Sequence, residues 1–336
     1  MSPMDWYKVE QLHWPADWSD LFGRVAPLVM EIGFGSGLFL ANMARQSPAD
    51  NFVGVEISVP SLKNATRKIR RAGLDNVILI QAGAAAVLQA LCEPESVACV
   101  VINFPDPWPK KDQLDRRLIG DDFLDLLATR MKPGASLDAA TDHDDYAAHI
   151  TACLMRSPYF ESRLPTPFVF EDEGRVETKY EQLARRDGRA PRYFKWRRNG
   201  RPTQRRFPVP KELTMPHVVL RLPGDLAEIG RRFQPHVAEA GTTHIRFVEA
   251  FSSLRDGKLL IDCYINEGVI AQRLGIELRT REPGEIVVSL AEIGFPRPTR
   301  GVHHAIAALV DQLRREFPSL VVVQTNLKGD HADIPQ

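Results

Sequence analysis

Short apolar runs (LVMEI, NFVGV, NVILI, ACVVI) alternate, from Leu28 onward, with segments whose apolar residues recur at a helical period. The alternation predicts helices over residues 38–46, 60–72, 84–91, 121–131 and 144–155, and a further strand over 135–140. The strands read as apolar on both sides, the pattern of a sheet covered on both faces. Strand and helix in strict succession imply right-handed crossovers and a doubly wound, Rossmann-like parallel α/β sheet. A less regular, strand-rich stretch continues to about Phe170.

The pattern then changes. Residues 185–206 hold ten Lys or Arg and a single acid, Asp187, with Tyr193, Phe194 and Trp196 interleaved. Two readings stand side by side: a phosphate-binding stretch with Tyr193 and Trp196 as stacking surfaces, or a core strand followed by a solvated linker. Gly and Pro in NGRPTQRRFPVP mark a linker, so a boundary is expected near Pro208, dividing residues 1–206 from 207–336. Beyond it, HVVLRL, THIRFVEAF, KLLIDCYI, GIELRT, EIVVSLAEI and SLVVVQTNL alternate like strands, with one helix over 302–317. That half reads as a smaller α+β domain.

Lys plus Arg equals Asp plus Glu, 43 of each, so overall charge argues for no partner and any nucleic-acid contact must come from local clustering. Cys92, Cys99, Cys153 and Cys263 lack metal or disulfide spacing, which points to no metal and a reducing compartment. No stretch approaches the roughly 18 apolar residues of a membrane span, and the first residues lack a signal core. The chain therefore reads as cytoplasmic, with its oligomeric state left open.

Two loops carry candidate chemistry. GFGSG, residues 33–37, lies between the first strand and the first helix, where glycines let backbone approach a ligand. Leu38 stands where a dinucleotide fingerprint has its third glycine, while Glu56 ends the second strand, a position suited to ribose hydroxyls. Glu31 would repel a pyrophosphate and attract a cation. An adenosine cofactor such as S-adenosylmethionine fits this set. The second loop, NFPDPWPK, is stiffened by Pro105, Pro107 and Pro109 at the end of a buried strand, so Asp106 and Trp108 read as presented groups, against a tight turn whose Trp packs inward. His143 and the pair His303–His304 read as capping or structural.

EIGFGSG, VGVEIS, NFPDPWPKK, ATDHDDYAAH and TKYE, in this order, resemble the bacterial tRNA (guanine-N7)-methyltransferase family over about residues 5–200. The resemblance implies a class I methyltransferase sheet, S-adenosylmethionine as cofactor, tRNA as partner, and methylation of the variable-loop guanine numbered 46. It further implies that Glu31, Gly33, Gly35, Gly37, Glu56, Gly83 and Asp106 form the cofactor side and that Asp106 is the catalytic acid. Lys110, Asp142, Thr178, Lys179, Tyr180 and Glu181 would contact tRNA. Two departures bear on activity: Gly83 replaces the family's acid near adenine, leaving Gln81 or a backbone amide there, and Asp112 and Asp115 dilute the basic loop around Lys110, Lys111, Arg116 and Arg117. The alternatives are an inactive tRNA-binding protein and an enzyme of the same fold acting on another RNA. The carboxyl-terminal domain has no implied role beyond accessory.

Overall fold

The structure, a computed structural model, describes residues 5–222, 225–255 and 257–328, with backbone alone at Lys179. The chain divides into two compact units, residues 1–209 and 210–336.

In the first unit, β1 (Tyr7–Lys8), β2 (Leu28–Ile32), β3 (Asn51–Glu56), β4 (Val77–Gln81), β5 (Val97–Asn103), β6 (Met131–Thr141), β7 (Phe160–Ser162) and β8 (Arg192–Arg198) form one sheet in the order β1-β4-β3-β2-β5-β6-β8-β7. The pairs from β1 to β6 are parallel, and β8 runs antiparallel to both β6 and β7. All five residues of β2 are buried, so both faces of the sheet are covered. The helices are α1 (Trp18–Phe22), α2 (Leu38–Gln46), α3 (Val59–Arg71), α4 (Ala84–Ala86) continuing as a π turn over Val87–Leu91, α5 (Asp121–Arg130), α6 (Asp144–Arg156) and α7 (Lys179–Arg186). Gly37 lets α2 lie close against α3: a Cβ there would sit 2.5 Å from the Ala65 Cβ.

Strand β8 decides between the two readings of the basic stretch. Tyr193, Phe194 and Trp196 are buried core residues, so Tyr193 and Trp196 offer no stacking surface. Most of the cations around them are neutralised locally: Arg192 pairs with Asp144 at 2.6 Å, Lys195 with Asp172 at 2.8 Å, Arg197 with Glu161 at 2.6 Å, and Arg205 with Asp122. Arg198 is buried and donates from Nε to the Ala128 carbonyl at 2.9 Å. The boundary also falls a few residues later than 206. Buried Arg130 donates to the carbonyls of Leu88, Gln89 and Phe207, and Gln89 Nε2 donates to that of Pro208 at 3.1 Å.

The second unit holds β9 (His217–Arg221), α8 (Leu226–Arg232), β10 (His236–Ala240), β11 (Thr243–Ser252), β12 (Leu259–Glu267), β13 (Ile270–Glu282), β14 (Glu285–Leu290), α9 (Arg300–Glu316) and β15 (Val321–Thr325). Its seven strands are ordered β10-β11-β12-β13-β14-β9-β15, and every pair is antiparallel. Burial alternates as a sheet with one packed face requires: Leu274, Ile276 and Leu278 join the core, whereas Arg273 and Arg279 are exposed. Val302, Ile306, Leu309 and Leu313 of α9 complete that core.

Candidate functional site

The strand order of the first unit reverses at β2, whose neighbours are β3 and β5. Such a reversal opens a crevice at the carboxyl ends of the strands, and it is here that the two motif-bearing loops leave the sheet. Gly33, Gly35 and Gly37 have φ of 70°, 53° and 70°, a left-handed backbone that favours glycine at all three. Glu56, at the end of β3, fixes this loop: its Oε2 accepts from the Gly35 amide at 3.1 Å, and its Oε1 accepts from the amides of Ile57 and Ser58 at 2.8 and 3.0 Å.

Glu31 lies on β2 with 1% exposure. Its Oε1 accepts from Asn103 Nδ2 at 2.9 Å, while its Oε2 has no hydrogen-bond partner among the described residues. Burial pushes the carboxyl up to about 8, against the opposing pull of the Asn103 bond, the Arg175 charge and the Leu40 amide, which faces the carboxyl without closing a hydrogen bond to Oε2. Glu31, Gly33, Gly35, Asn103, Thr178 and Tyr180 are among the residues that line a cavity of about 180 Å³.

Asn103 begins a buried polar chain that sequence reasoning missed. Arg175 Nη2 donates to Asn103 Oδ1, Arg175 Nε stands 3.6 Å from Glu181 Oε2, and the Tyr193 hydroxyl donates to Glu181 Oε1. The Arg175 guanidinium also lies 4.5 Å from the ring centre of Phe39 on α2. Asn103 and Arg175 are 72 residues apart, so no local pattern joins them. Thr178 and Glu181 cap α7 reciprocally: the Glu181 amide donates to Thr178 Oγ1 at 3.1 Å, and the Thr178 amide to Glu181 Oε2 at 3.3 Å.

The expected tRNA-contacting residues differ in exposure. Thr178 and Glu181 are buried and, through their reciprocal cap, hold the segment in position. Tyr180 is 57% exposed, and the side chain of Lys179 lies outside the described residues. Asp142 is half-buried and ion-paired with Arg189. Gly83 caps the start of α4, with open space where a Cβ would point. His143 caps α6, its Nδ1 accepting from the Tyr146 amide at 3.4 Å.

Asp106 and Lys110 are exposed on the proline-rich loop and are not among the residues lining the cavity. The loop is strained: Phe104 and Trp108 have φ of 48° and 41°, each costing about 1–3 kcal/mol for a non-glycine residue. Neighbours hold it in that shape. The Phe104 amide donates to the Ala140 carbonyl at 2.8 Å, and Arg117 Nε donates to the Pro107 carbonyl at 2.8 Å. The Arg116 guanidinium sits 5.0 Å over the Trp108 ring, so an arginine occupies the indole face.

The sequence profile of a family described as "Putative methyltransferase" matches residues 25–192. The tRNA (guanine-N(7)-)-methyltransferase of Thermus thermophilus is 34% identical over 322 residues, 94% of this chain and 97% of that protein. The chain belongs to this family. The Deinococcus radiodurans protein of the same name is 33% identical over 292 residues, 85% of this chain and 89% of that protein, so the relationship extends well beyond the first unit. A third, from Acidithiobacillus ferrooxidans, is 35% identical over 188 residues, 55% of this chain but 82% of that protein. Most of that relative is thus matched by a stretch shorter than the first unit. Among the described residues, no helix is long and apolar enough to cross a membrane, and no His, Cys, Asp and Glu cluster is arranged to hold a metal.

Proposed function

We propose that this chain is a cytosolic enzyme that transfers the methyl group of S-adenosylmethionine to N7 of the variable-loop guanine of tRNA, giving 7-methylguanosine. One observation carries the reading within this family: a buried carboxylate, Glu31, with one oxygen unpartnered, lines a glycine-walled crevice. Buried polar atoms are ordinarily hydrogen-bonded, so that oxygen suits a donor brought by a ligand. The cofactor's amino group is such a donor, and its charge would favour ionised Glu31. Glu56 uses three acceptor positions on backbone amides; a carboxylate offers about four, which leaves room for a ribose hydroxyl. Gly33, Gly35 and Gly37 supply the close backbone, and Gly83 leaves open space where the family has an acid.

When bound, S-adenosylmethionine supplies an electrophilic methyl group. Guanine N7 presents a lone pair and no proton, so this chain needs to provide no general base. Its task is to position the base and to favour the positive charge that develops on the ring. Asp106, exposed on a loop held in shape by its prolines and by hydrogen bonds with its neighbours, accepts from guanine N1 and the exocyclic amine and stabilises that charge. Lys110, Asp142, Lys179 and Tyr180 contact the RNA, whereas Thr178 and Glu181 hold the segment that carries Tyr180. The first unit contains this machinery, and the second is accessory. Incubation with bulk tRNA and methyl-labelled S-adenosylmethionine, followed by nucleoside mapping, tests the proposal. Label in 7-methylguanosine is expected; label elsewhere would indicate another target, and none would indicate a binding protein without catalysis.

A further inference from the structure

Helix α3 carries five cations, Lys63, Arg67, Lys68, Arg70 and Arg71, and no acid. Leu62, Ala65, Thr66 and Ile69 take its buried side. At 3.6 residues per turn, Lys63, Arg67 and Arg71 form a single stripe along the opposite side, and all three are exposed. Two of the five cations have evident structural partners: Arg70 pairs with Asp5, and Lys68 Nζ donates to the Ser36 carbonyl. Among the described residues, Lys63, Arg67 and Arg71 have no acidic partner. The helix dipole favours cations in the last turn, which accounts for Arg71 but not for Lys63 or Arg67. Like charges four residues apart repel, so the stripe costs the isolated helix stability.

The stripe begins at the crevice. Ser61 and Asn64 of the same helix line the cavity, and Arg67 Nη2 donates to Asn64 Oδ1. This contrasts with the basic stretch around β8, where neighbouring acids neutralise most of the cations.

We propose that the Lys63–Arg67–Arg71 stripe is a phosphate-binding surface that holds the tRNA backbone beside the crevice. The inference rests on the tRNA reading above. Its occupant is a polyanion lying along a line of cations without acidic partners that starts beside the crevice. Each phosphate neutralised releases condensed counterions, contributing about 0.7–0.9 to the slope of log affinity against log salt.

The test is tRNA binding by the full chain across a salt series, with methyl transfer measured alongside. The triple variant Lys63→Gln, Arg67→Gln, Arg71→Gln keeps good helix formers on an exposed face. It should lower the magnitude of the salt slope by about 2–3 and raise the KM for tRNA more than tenfold. Cofactor affinity and kcat at saturating tRNA should stay unchanged. A matched variant, Arg156→Gln, Arg197→Gln, Arg205→Gln, removes the same charge from cations paired with Asp121, Glu161 and Asp122, and should change the slope much less. Labelled tRNA with an unchanged slope and KM in the first variant would overturn the inference alone. Equal losses in both variants would also overturn it, because only net charge would then matter. Wild-type protein that leaves tRNA unlabelled would overturn the tRNA reading and this inference with it.

Discussion

Glu31 in the first unit and Glu267 in the second are both strand carboxylates with neighbouring donors, yet they differ in what is left over. Glu267 is satisfied on both oxygens: Oε1 accepts from the Gly301 amide at 2.6 Å and Oε2 from the Thr299 hydroxyl, so it caps α9. Glu31 is more deeply buried and satisfied on one oxygen only. The surroundings of the two carboxylates differ. In the antiparallel unit Glu267 finds its donors 32 and 34 residues along the chain, at the start of α9. In the parallel unit the strands of the βαβ run release their loops at one edge, where Glu56 is satisfied by the amides that follow it and Glu31 keeps an open acceptor beside the cavity. On the proposed reading, Glu267, whose bonds close within the fold, serves structure, and Glu31, left with an open acceptor, serves a ligand.

The largest expected effect isolates chemistry from cofactor binding within the first unit. Asp106→Ala should reduce kcat by about 10²–10³, the range for removing a preorganised electrostatic contact, with cofactor affinity unchanged because Asp106 is not among the cavity-lining residues. Single-turnover kinetics and calorimetry separate the two, and weakened cofactor binding would move Asp106 into the crevice. Next comes Glu31→Gln, which should weaken S-adenosylmethionine at least tenfold, about 1.4 kcal/mol. The direction of its pH dependence is fixed. Because burial raises the Glu31 carboxyl from an ordinary 4.5 to about 8, its contribution to the unliganded fold is complete below 4.5 and lost as pH rises through 8. Cofactor binding at neutral pH should therefore expel a proton, seen as a calorimetric heat that varies with the ionisation enthalpy of the buffer. In Glu31→Gln that variation should vanish, and its absence in the wild type would break the contrast with Glu267.

Legibility in the sequence follows distance along the chain. Helix α2 spans 38–46 as read, because its start is set by Gly37 and its apolar period is local. The glycine loop, Glu31 and Glu56 were legible for the same reason. Strand β8 was ambiguous because its cations were visible while the acids that neutralise them, Asp144, Glu161 and Asp172, lie on other segments. Arg175 sits in the acidic run EDEGRVE, where nothing local singles it out, yet its side chain is 6% exposed at the centre of the polar chain. In the second unit α8 and β10 escaped notice, since Gly230 and the Pro and Gly before Asp225 interrupt the helical pattern, and β10 is half polar. Burial and long-range pairing are properties of the assembled sheet.

A smaller effect concerns where the first unit ends. A fragment of residues 1–209 should fold, bind S-adenosylmethionine and methylate tRNA, consistent with the short Acidithiobacillus relative. A fragment of residues 1–206 should be less stable by about 1–3 kcal/mol, because buried Arg130 would lose the Phe207 carbonyl as an acceptor. Urea denaturation of the two fragments measures the gap. A 1–209 fragment that binds cofactor without turnover would assign part of the catalytic work to the second unit.

The smallest effect completes the pair of carboxylates. Gly301 is matched to Glu267 by shape: a Cβ on it would lie 2.4 Å from the Glu267 Cδ, so the carboxylate occupies the space beside the α9 amino terminus. Glu267→Gln keeps one oxygen for the Gly301 amide, and the Thr299 hydroxyl can turn to accept from the new amide. What is lost is mainly the negative charge at a helix amino terminus, about 0.3–1 kcal/mol. Thermal unfolding of the full chain should therefore show a small loss confined to the transition of the second unit, with cofactor affinity and proton release unchanged. A cofactor defect comparable to that of Glu31→Gln would show that carboxylates with closed and open hydrogen-bond shells do not divide between structure and ligand as the two units suggest.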